Sequence, residues 1–91
     1  MHTRWVRRVD VLSRTQLGEL LLLAPDGDEP IALTAPGDVL WQLLDTPQSI
    51  DELVDAFTPA HADDGDRAAV RGAIDALLRR LHRHRLITAS G

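Results

Sequence analysis

The most restrictive feature of this sequence is an apolar stripe in its last third. Val70, Ile74, Leu77 and Leu81 recur at spacings of four, three and four residues, which is the period of one face of an α-helix. The stripe predicts one long helix over about residues 67–83. Such a helix must bury its apolar face, so the rest of the chain has to supply a surface that covers it.

Three strand-like segments precede this helix. Residues 6–12 alternate loosely between apolar and polar side chains, residues 19–24 form a short apolar run, and residues 31–33 are a third apolar segment. Pro30 has no N–H to give to a ladder, which places the third segment at a sheet edge or at a strand start. These segments predict a three-stranded antiparallel sheet whose third strand lies at its edge.

Two shorter helices are predicted between the sheet and the long helix. Thr34 is the expected N-cap of the first helix, with Pro36 in its first turn. Ser49 and Glu52 form a capping-box pattern that begins the second helix, and residues 88–91 are expected to be a tail. Strands followed by helices indicate an α+β fold with the helices packed on one face of an antiparallel sheet.

Composition limits the classes of function. The 91 residues predict a single domain, 1–91, with a core over about residues 6–87. The absence of cysteine excludes disulfides and thiolate metal sites, and no apolar run reaches the length of a membrane span. No sequence motif of nucleophilic, metal-dependent or nucleotide-dependent catalysis is present. We therefore expect a cytoplasmic, non-enzymatic protein with no catalytic residues, no metal and no cofactor.

Two features leave alternatives open. Residues 15–66 contain acidic residues and no arginine or lysine, whereas arginines concentrate on both sides of that segment. This pattern indicates either basic ends that pack on an acidic middle or a basic face for an acidic partner. The edge strand is similarly ambiguous, because Glu29 and Pro30 either blunt it or leave it open to a peptide that adds as a further strand.

The order and spacing of the motifs resemble the PqqD-like family. Residues 31–45 are similar to its signature, in which a short strand ends in Leu-Asn-x-x-Gly-x-x-Ile-Trp-x-Leu-Leu. Thr34 stands where asparagine is usual, and Leu40 stands where isoleucine is usual. Residues 49–57 resemble the family's following helix, and residues 73–81 resemble its closing helix.

This resemblance implies a winged helix-turn-helix-like fold that acts as a recognition element for ribosomally made, post-translationally modified peptides. Such domains resemble peptide chaperones. They bind the leader of a precursor peptide as a strand beside the third strand and the last helix. They then present it to a modifying enzyme, such as a radical SAM protein, or to a leader peptidase, in PQQ-like or lasso-peptide-like biosynthesis.

The resemblance also implies the residues that would contact the peptide. The aliphatic side chains among them are expected to hold apolar leader residues, and the two arginines are expected to pair with leader carboxylates. The sequence does not fix which flank of the last helix lines the groove, and we expect the flank with the two arginines over the flank with Ala73 and Arg80. The predicted peptide-binding residues are Pro30, Ile31, Ala32, Leu33, Arg67, Val70, Arg71, Ile74 and Leu78.

The alternative function is that of a winged-helix nucleic-acid-binding regulator. The arginines of residues 79–85 form a basic cluster that would suit phosphates. The net charge of −4 and the acidic second helix argue against it, because a recognition helix that faces phosphates should not be acidic. The expected partners are therefore a leader peptide and the enzyme that acts on it, with neither nucleic acid nor membrane.

Overall fold

A computed structural model describes residues 3–27 and 29–90 of the chain. Within these residues the strands form two three-stranded antiparallel sheets, in the orders β2-β3-β4 and β5-β1-β6. The predicted α+β class is confirmed, with three helices and a three-stranded antiparallel sheet that ends in the predicted third strand. The elements are β1 (Arg4–Arg7), β2 (Leu12–Gln16), β3 (Glu19–Leu23), β4 (Ile31–Leu33), α1 (Gly37–Leu43), β5 (Gln48–Ser49), α2 (Ile50–Phe57), α3 (Asp64–Arg83) and β6 (Ile87–Ser90).

A two-residue turn sets the register of the β2-β3-β4 sheet. Leu17 and Gly18 both have positive φ angles, 50° and 79°, as the tight turns of β-hairpins require. Gln16 therefore lies opposite Glu19. The ladder continues to β4, where Ala32 lies opposite Leu21.

The prediction of a single first strand over residues 6–12 is wrong. The chain leaves the β5-β1-β6 sheet after Arg7 and enters the other sheet at Leu12. Between these strands, the N–H of Arg8 donates to the carbonyl of Leu86 at 3.0 Å, and Val9 is fully exposed. The loosely alternating pattern therefore covers two short strands and a loop that connects different sheets.

The prediction of a tail after Ile87 is also wrong. Residues 87–90 form β6, which pairs with all four residues of β1, from Arg4 opposite Ser90 to Arg7 opposite Ile87; Gly91 lies outside the described residues. After Ile87 the sequence of β6 contains only small side chains, and its four residues are too few to identify a strand from their alternation. Its conformation is set by β1, which is distant in sequence.

The helix starts follow local capping, with two corrections. In the predicted capping box, the N–H of Glu52 donates to Ser49 Oγ at 3.1 Å and the N–H of Ser49 donates to Glu52 Oε1 at 2.9 Å. The bond that the Ser49 N–H donates to the carboxylate holds the pKa of Glu52 below its usual value. α3 begins at Asp64, earlier than predicted, because Asp63 is its N-cap and accepts from the N–H of Asp66 at 2.8 Å.

Thr34 is not the N-cap of α1. Pro36 occupies that position without a side-chain hydrogen bond, and the helix begins at Gly37. The carbonyl of Thr34 instead accepts a hydrogen bond from the N–H of Gly37 at 2.7 Å. Thr34 therefore forms the turn that joins β4 to α1.

The helices cover one face of the β2-β3-β4 sheet. Because side chains alternate along strands, Leu22, Ile31 and Leu33 face the helices together and are buried. Trp41 is 3% exposed, and the guanidinium of Arg7 lies 5.7 Å from its ring centroid. The buried apolar residues are Leu22, Ala24, Ile31, Leu33, Leu40, Trp41, Leu44, Leu53, Val54, Ile74, Leu78, Leu81, Leu86 and Ile87.

Ion pairs join the basic ends of the chain to its acidic middle. Arg7 pairs with Asp45 at 2.8 Å, and Arg85 pairs with Asp26 at 2.6 Å. Of the two interpretations of the charge pattern, these contacts support the packing of basic ends on an acidic middle. Over the part of the chain that the structure describes, no helix combines the length and apolarity that a membrane crossing requires.

Candidate functional site

The open edge of the β2-β3-β4 sheet is the first component of the candidate site. The residues that close a two-residue hairpin turn form a hydrogen-bonded pair, and such pairs alternate along an antiparallel ladder. Glu19 closes the turn and is hydrogen-bonded to β2, as is Leu21 two residues later. Leu20 and Leu22 are therefore hydrogen-bonded to the other neighbour, β4, through Leu33 and Ile31. Ala32 lies between them and therefore directs both its N–H and its C=O to the free edge.

Pro30 and Thr34 bound this free edge. The backbone groups of Pro30 and Thr34 point to the same edge as those of Ala32. Pro30 offers only its carbonyl there, because proline has no N–H. The carbonyl of Thr34 is already engaged by Gly37, which leaves its N–H. Pro30 thus blunts one end of the edge, while the exposed Ala32 remains able to pair through both backbone groups.

An apolar groove adjoins this edge. It has a volume of about 410 Å³ and lies between the start of α1, the end of α2 and one flank of α3. A Cβ atom placed on Gly37 would lie 3.6 Å from Leu77 Cδ2 and 3.7 Å from Leu33 Cβ, which puts α3 beside β4 at this point. The groove is lined by Pro36, Gly37, Leu40, Phe57, Val70, Ala73, Ile74 and Leu77.

The other end of β4 is polar. A depression of about 250 Å³ beside Ile31 is lined partly by Asp26, Glu29, Arg83 and His84. The hydrogen bond from Arg85 holds the pKa of Asp26 below its usual value, which keeps this carboxylate charged. The surface along β4 therefore changes from apolar near Leu33 to charged near Ile31.

The structure divides the predicted α3 residues between two flanks. Val70 and Ile74 line the apolar groove. Arg67 and Arg71 lie on the opposite flank, where their guanidinium groups donate to Asp55 and Asp51 of α2. Leu78 is 3% exposed and lines a cavity on that same side of the helix, together with Trp5 and His82.

Sequence reasoning missed Leu77 and set aside Ala73, which belong to the groove. A signal for the correct flank was present in the charges. Two acids of α2, Asp51 and Asp55, are spaced four residues apart, as are Arg67 and Arg71 in α3. Equal spacing of opposite charges on neighbouring antiparallel helices indicates that the two sets face each other and not a ligand.

Comparison with known proteins identifies the family. The sequence matches the family described as Coenzyme PQQ synthesis protein D (PqqD) over residues 19–87. The chain belongs to the PqqD family. No curated protein matches the sequence.

A solved structure is similar to this PqqD-family chain over most of its length. It is described as TbiB1 in complex with the TbiA(beta) leader peptide. The two share 27% sequence identity and a TM-score of 0.72, over 90% of this chain and 93% of the TbiB1 chain. The resemblance proposed from the sequence motifs is therefore confirmed.

The chemistry that this PqqD-family chain offers at β4 is that of recognition. The edge supplies backbone donors and acceptors, the groove supplies apolar contact, and the depression beside Ile31 supplies charges. Throughout residues 3–27 and 29–90, no three His, Asp or Glu side chains are grouped so that they could hold a metal ion. These features together suit an extended peptide with a mixed apolar and polar sequence.

Proposed function

We propose that this protein is a non-catalytic recognition element that binds the leader of a ribosomally made precursor peptide as an added antiparallel strand along β4. The observation that carries the proposal is an open strand edge beside an apolar groove. The similarity to TbiB1, whose structure contains a leader peptide, supports it. The protein then presents the precursor to a modifying enzyme, such as a radical SAM protein, or to a leader peptidase.

The direction of the backbone groups defines a register for the bound leader. The leader residue opposite Ala32 forms two hydrogen bonds, and its side chain points away from the helices, as Ala32 does. Its two neighbours lie opposite Leu33 and Ile31 and point toward α3. We expect an apolar leader residue opposite Leu33, next to the groove, and a polar or charged residue opposite Ile31.

The proposed contact set is a revision of the one derived from sequence. Residues 30–33, Val70 and Ile74 remain in it, and Ala73 and Leu77 join them. Arg67, Arg71 and Leu78 are left out, because the two arginines are engaged with α2 and the leucine lines the cavity on that same flank and not the groove. We further propose that residues 1–91 are a single peptide-binding domain and that it acts in the cytoplasm, where ribosomally made precursors originate.

The test removes one donor from the free edge. Ala32→Pro deletes an N–H that the β3 ladder does not use, so we expect the variant to fold. The leader carbonyl that would accept from this N–H is left without a partner. Binding of the cognate leader, measured by isothermal titration calorimetry, should become weaker by about 1–3 kcal/mol of binding free energy.

Ala32→Val is the matched control, because it changes the side chain but keeps the N–H, and it should bind the leader nearly as the wild type does. Denaturation curves establish that both variants are folded. Wild-type affinity in a folded Ala32→Pro variant would exclude strand addition at β4. Equal losses in both variants would mean that the side chain, and not the backbone, makes the contact.

A further inference from the structure

Three arginines have no carboxylate partner within the part of the chain that the structure describes. Arg14, Arg80 and Arg83 form no ion pair with any carboxylate of residues 3–27 and 29–90, whereas each of the other arginines forms at least one. Arg80 and Arg83 are exposed and lie in the last turn of α3. The helix dipole favours cations at this end, but it leaves the N–H groups of both guanidinium ions without an acidic acceptor.

The position of Arg80 places it on the same flank of α3 as the apolar groove. Ala73 and Leu77 border that groove. Arg80 follows Leu77 by three residues, and His84 follows Arg80 by four. Residues at these spacings share one side of an α-helix. The groove flank is therefore apolar as far as Leu77 and basic from Arg80 onward.

The basic end of α3 lies beside the start of β4. Arg83 and His84 line the depression next to Ile31, whereas Leu77 and Leu33 meet near the start of α1. β4 therefore runs opposite to α3 in direction. A leader strand that adds antiparallel to β4 runs in the same direction as α3, so that it passes the apolar groove first and the basic end afterwards.

The rise of the two elements gives the leader position that faces the basic end. Arg80 and Arg83 lie about 4.5 Å and about 9 Å beyond Leu77, at about 1.5 Å per helical residue. Leader side chains that point toward α3 are about 6.8 Å apart, at about 3.4 Å per strand residue. The leader side chain opposite Ile31 comes two residues after the one opposite Leu33. It therefore lies level with the space between the two arginines.

The carboxylates near this leader position do not reverse its preference for negative charge. Asp26 accepts a hydrogen bond from Arg85 at 2.6 Å and lies 4.0 Å from Arg8, so its charge is compensated. Glu29 lines the depression, but it precedes Ile31 by two residues and faces the next leader side chain that points inward. A leader carboxylate is therefore favoured opposite Ile31 and disfavoured two residues later.

We propose that the end of α3 is a carboxylate-specific subsite, in which Arg80 and Arg83 select leaders that carry an aspartate or a glutamate opposite Ile31. This residue follows the apolar residue beside the groove by two positions. The inference rests on the proposed leader binding and names the charge that the leader must carry. Backbone hydrogen bonds along β4 hold the leader whatever its sequence, and the subsite excludes leaders with a basic residue at this position.

The experiment exchanges charges on both partners. The probes are the cognate leader peptide and a set of peptides in which each of its aspartates and glutamates is replaced singly by lysine. Isothermal titration calorimetry measures their affinity for the full chain. The double variant Arg80→Glu, Arg83→Glu should bind the natural leader at least about tenfold more weakly than the wild type does. One lysine peptide should bind this variant at least about tenfold more tightly than it binds the wild type.

The double variant Arg14→Glu, Arg79→Glu is the control for net charge, because both arginines are exposed and neither lies on the groove flank. It should bind the natural leader within about twofold of the wild type. Urea denaturation establishes that both variants are folded.

Absence of leader binding in the wild type would defeat the proposed function itself. Three results would overturn only the carboxylate subsite while leader binding stands. They are an unchanged affinity of the Arg80→Glu, Arg83→Glu variant, equal losses in both double variants, and a set of lysine peptides in which none prefers the variant. A natural leader without aspartate or glutamate would overturn it as well.

Discussion

The two flanks of α3 differ in what occupies them. On the flank that faces α2, Arg67 and Arg71 pair with Asp55 and Asp51. On the flank beside β4, Ala73 and Leu77 border an apolar groove. A ligand on the first flank would have to displace existing ion pairs, whereas a ligand on the second would cover apolar surface that water now contacts. Charge on a long helix is therefore a poor guide to its binding face when an acidic helix lies next to it.

The ion pairs on the charged flank orient α2 on α3 more than they stabilise the fold. Its arginine and aspartate side chains remain roughly half exposed, and exposed ion pairs contribute only about 0–1 kcal/mol each. Burial along the centre of α3, at Ile74, Leu78 and Leu81, supplies the larger stabilisation. The three faces of α3 therefore have different roles. One is part of the core, one pairs with α2, and one is an open apolar surface.

The largest expected effect concerns the core between the flanks. Leu78→Ala should lower the free energy of unfolding by about 2–5 kcal/mol, because Leu78 is 3% exposed and its removal leaves a cavity. Urea denaturation followed by circular dichroism measures the change. An unaltered denaturation midpoint would show that Leu78 is accessible, and its predicted role in leader binding would then return.

A smaller effect is expected on the open flank. Ala73→Arg places a long charged side chain over the groove and should weaken leader binding by at least about 1.4 kcal/mol, or tenfold. Ala73 is exposed, so stability should change by no more than about 0.5 kcal/mol. Ala76→Arg is the control, since it makes the same substitution at an exposed position on the solvent side of the helix. If calorimetry gives equal leader affinity for both variants, the groove is not the leader site.

The smallest effect is expected on the charged flank. Arg71→Ala removes one exposed ion pair with Asp51 and should lower the free energy of unfolding by about 0–1 kcal/mol. Leader affinity should be unchanged, because this flank points away from β4. A loss of leader affinity larger than that of Ala73→Arg would reverse the comparison and restore the flank that sequence reasoning preferred.

The parts of the fold that sequence reasoning predicted are those with local signals. The capping box at Ser49 and Glu52, the apolar stripe of α3 and the proline before β4 each act over a few residues. The pairing of β1 with β6 joins Arg4 to Ser90, and no short pattern encodes a contact between such distant segments. The prediction of one strand over residues 6–12 failed for the same reason, because its two halves belong to different sheets.

The candidate site was predictable to a similar extent. The edge strand followed from Pro30 and from the family resemblance. The choice of flank on α3 did not, because a periodic stripe identifies the centre of a buried face and not which neighbour covers each side. That choice depends on which flank of α3 packs against α2. The only sequence signal for this packing was the equal spacing of Asp51 and Asp55 in α2 and of Arg67 and Arg71 in α3.

The pairing of β1 with β6 has a consequence for architecture on a larger scale. Arg4 and Ser90 are direct partners in the ladder, so their Cα atoms lie roughly 5 Å apart. A domain whose ends meet in this way can be inserted into a surface loop of a host protein without forcing that loop apart. The junction belongs to the β5-β1-β6 sheet, whereas the β4 edge belongs to the other sheet. The same fold can therefore be carried as a free-standing protein or as a cassette within a larger enzyme, with its strand-accepting edge still accessible.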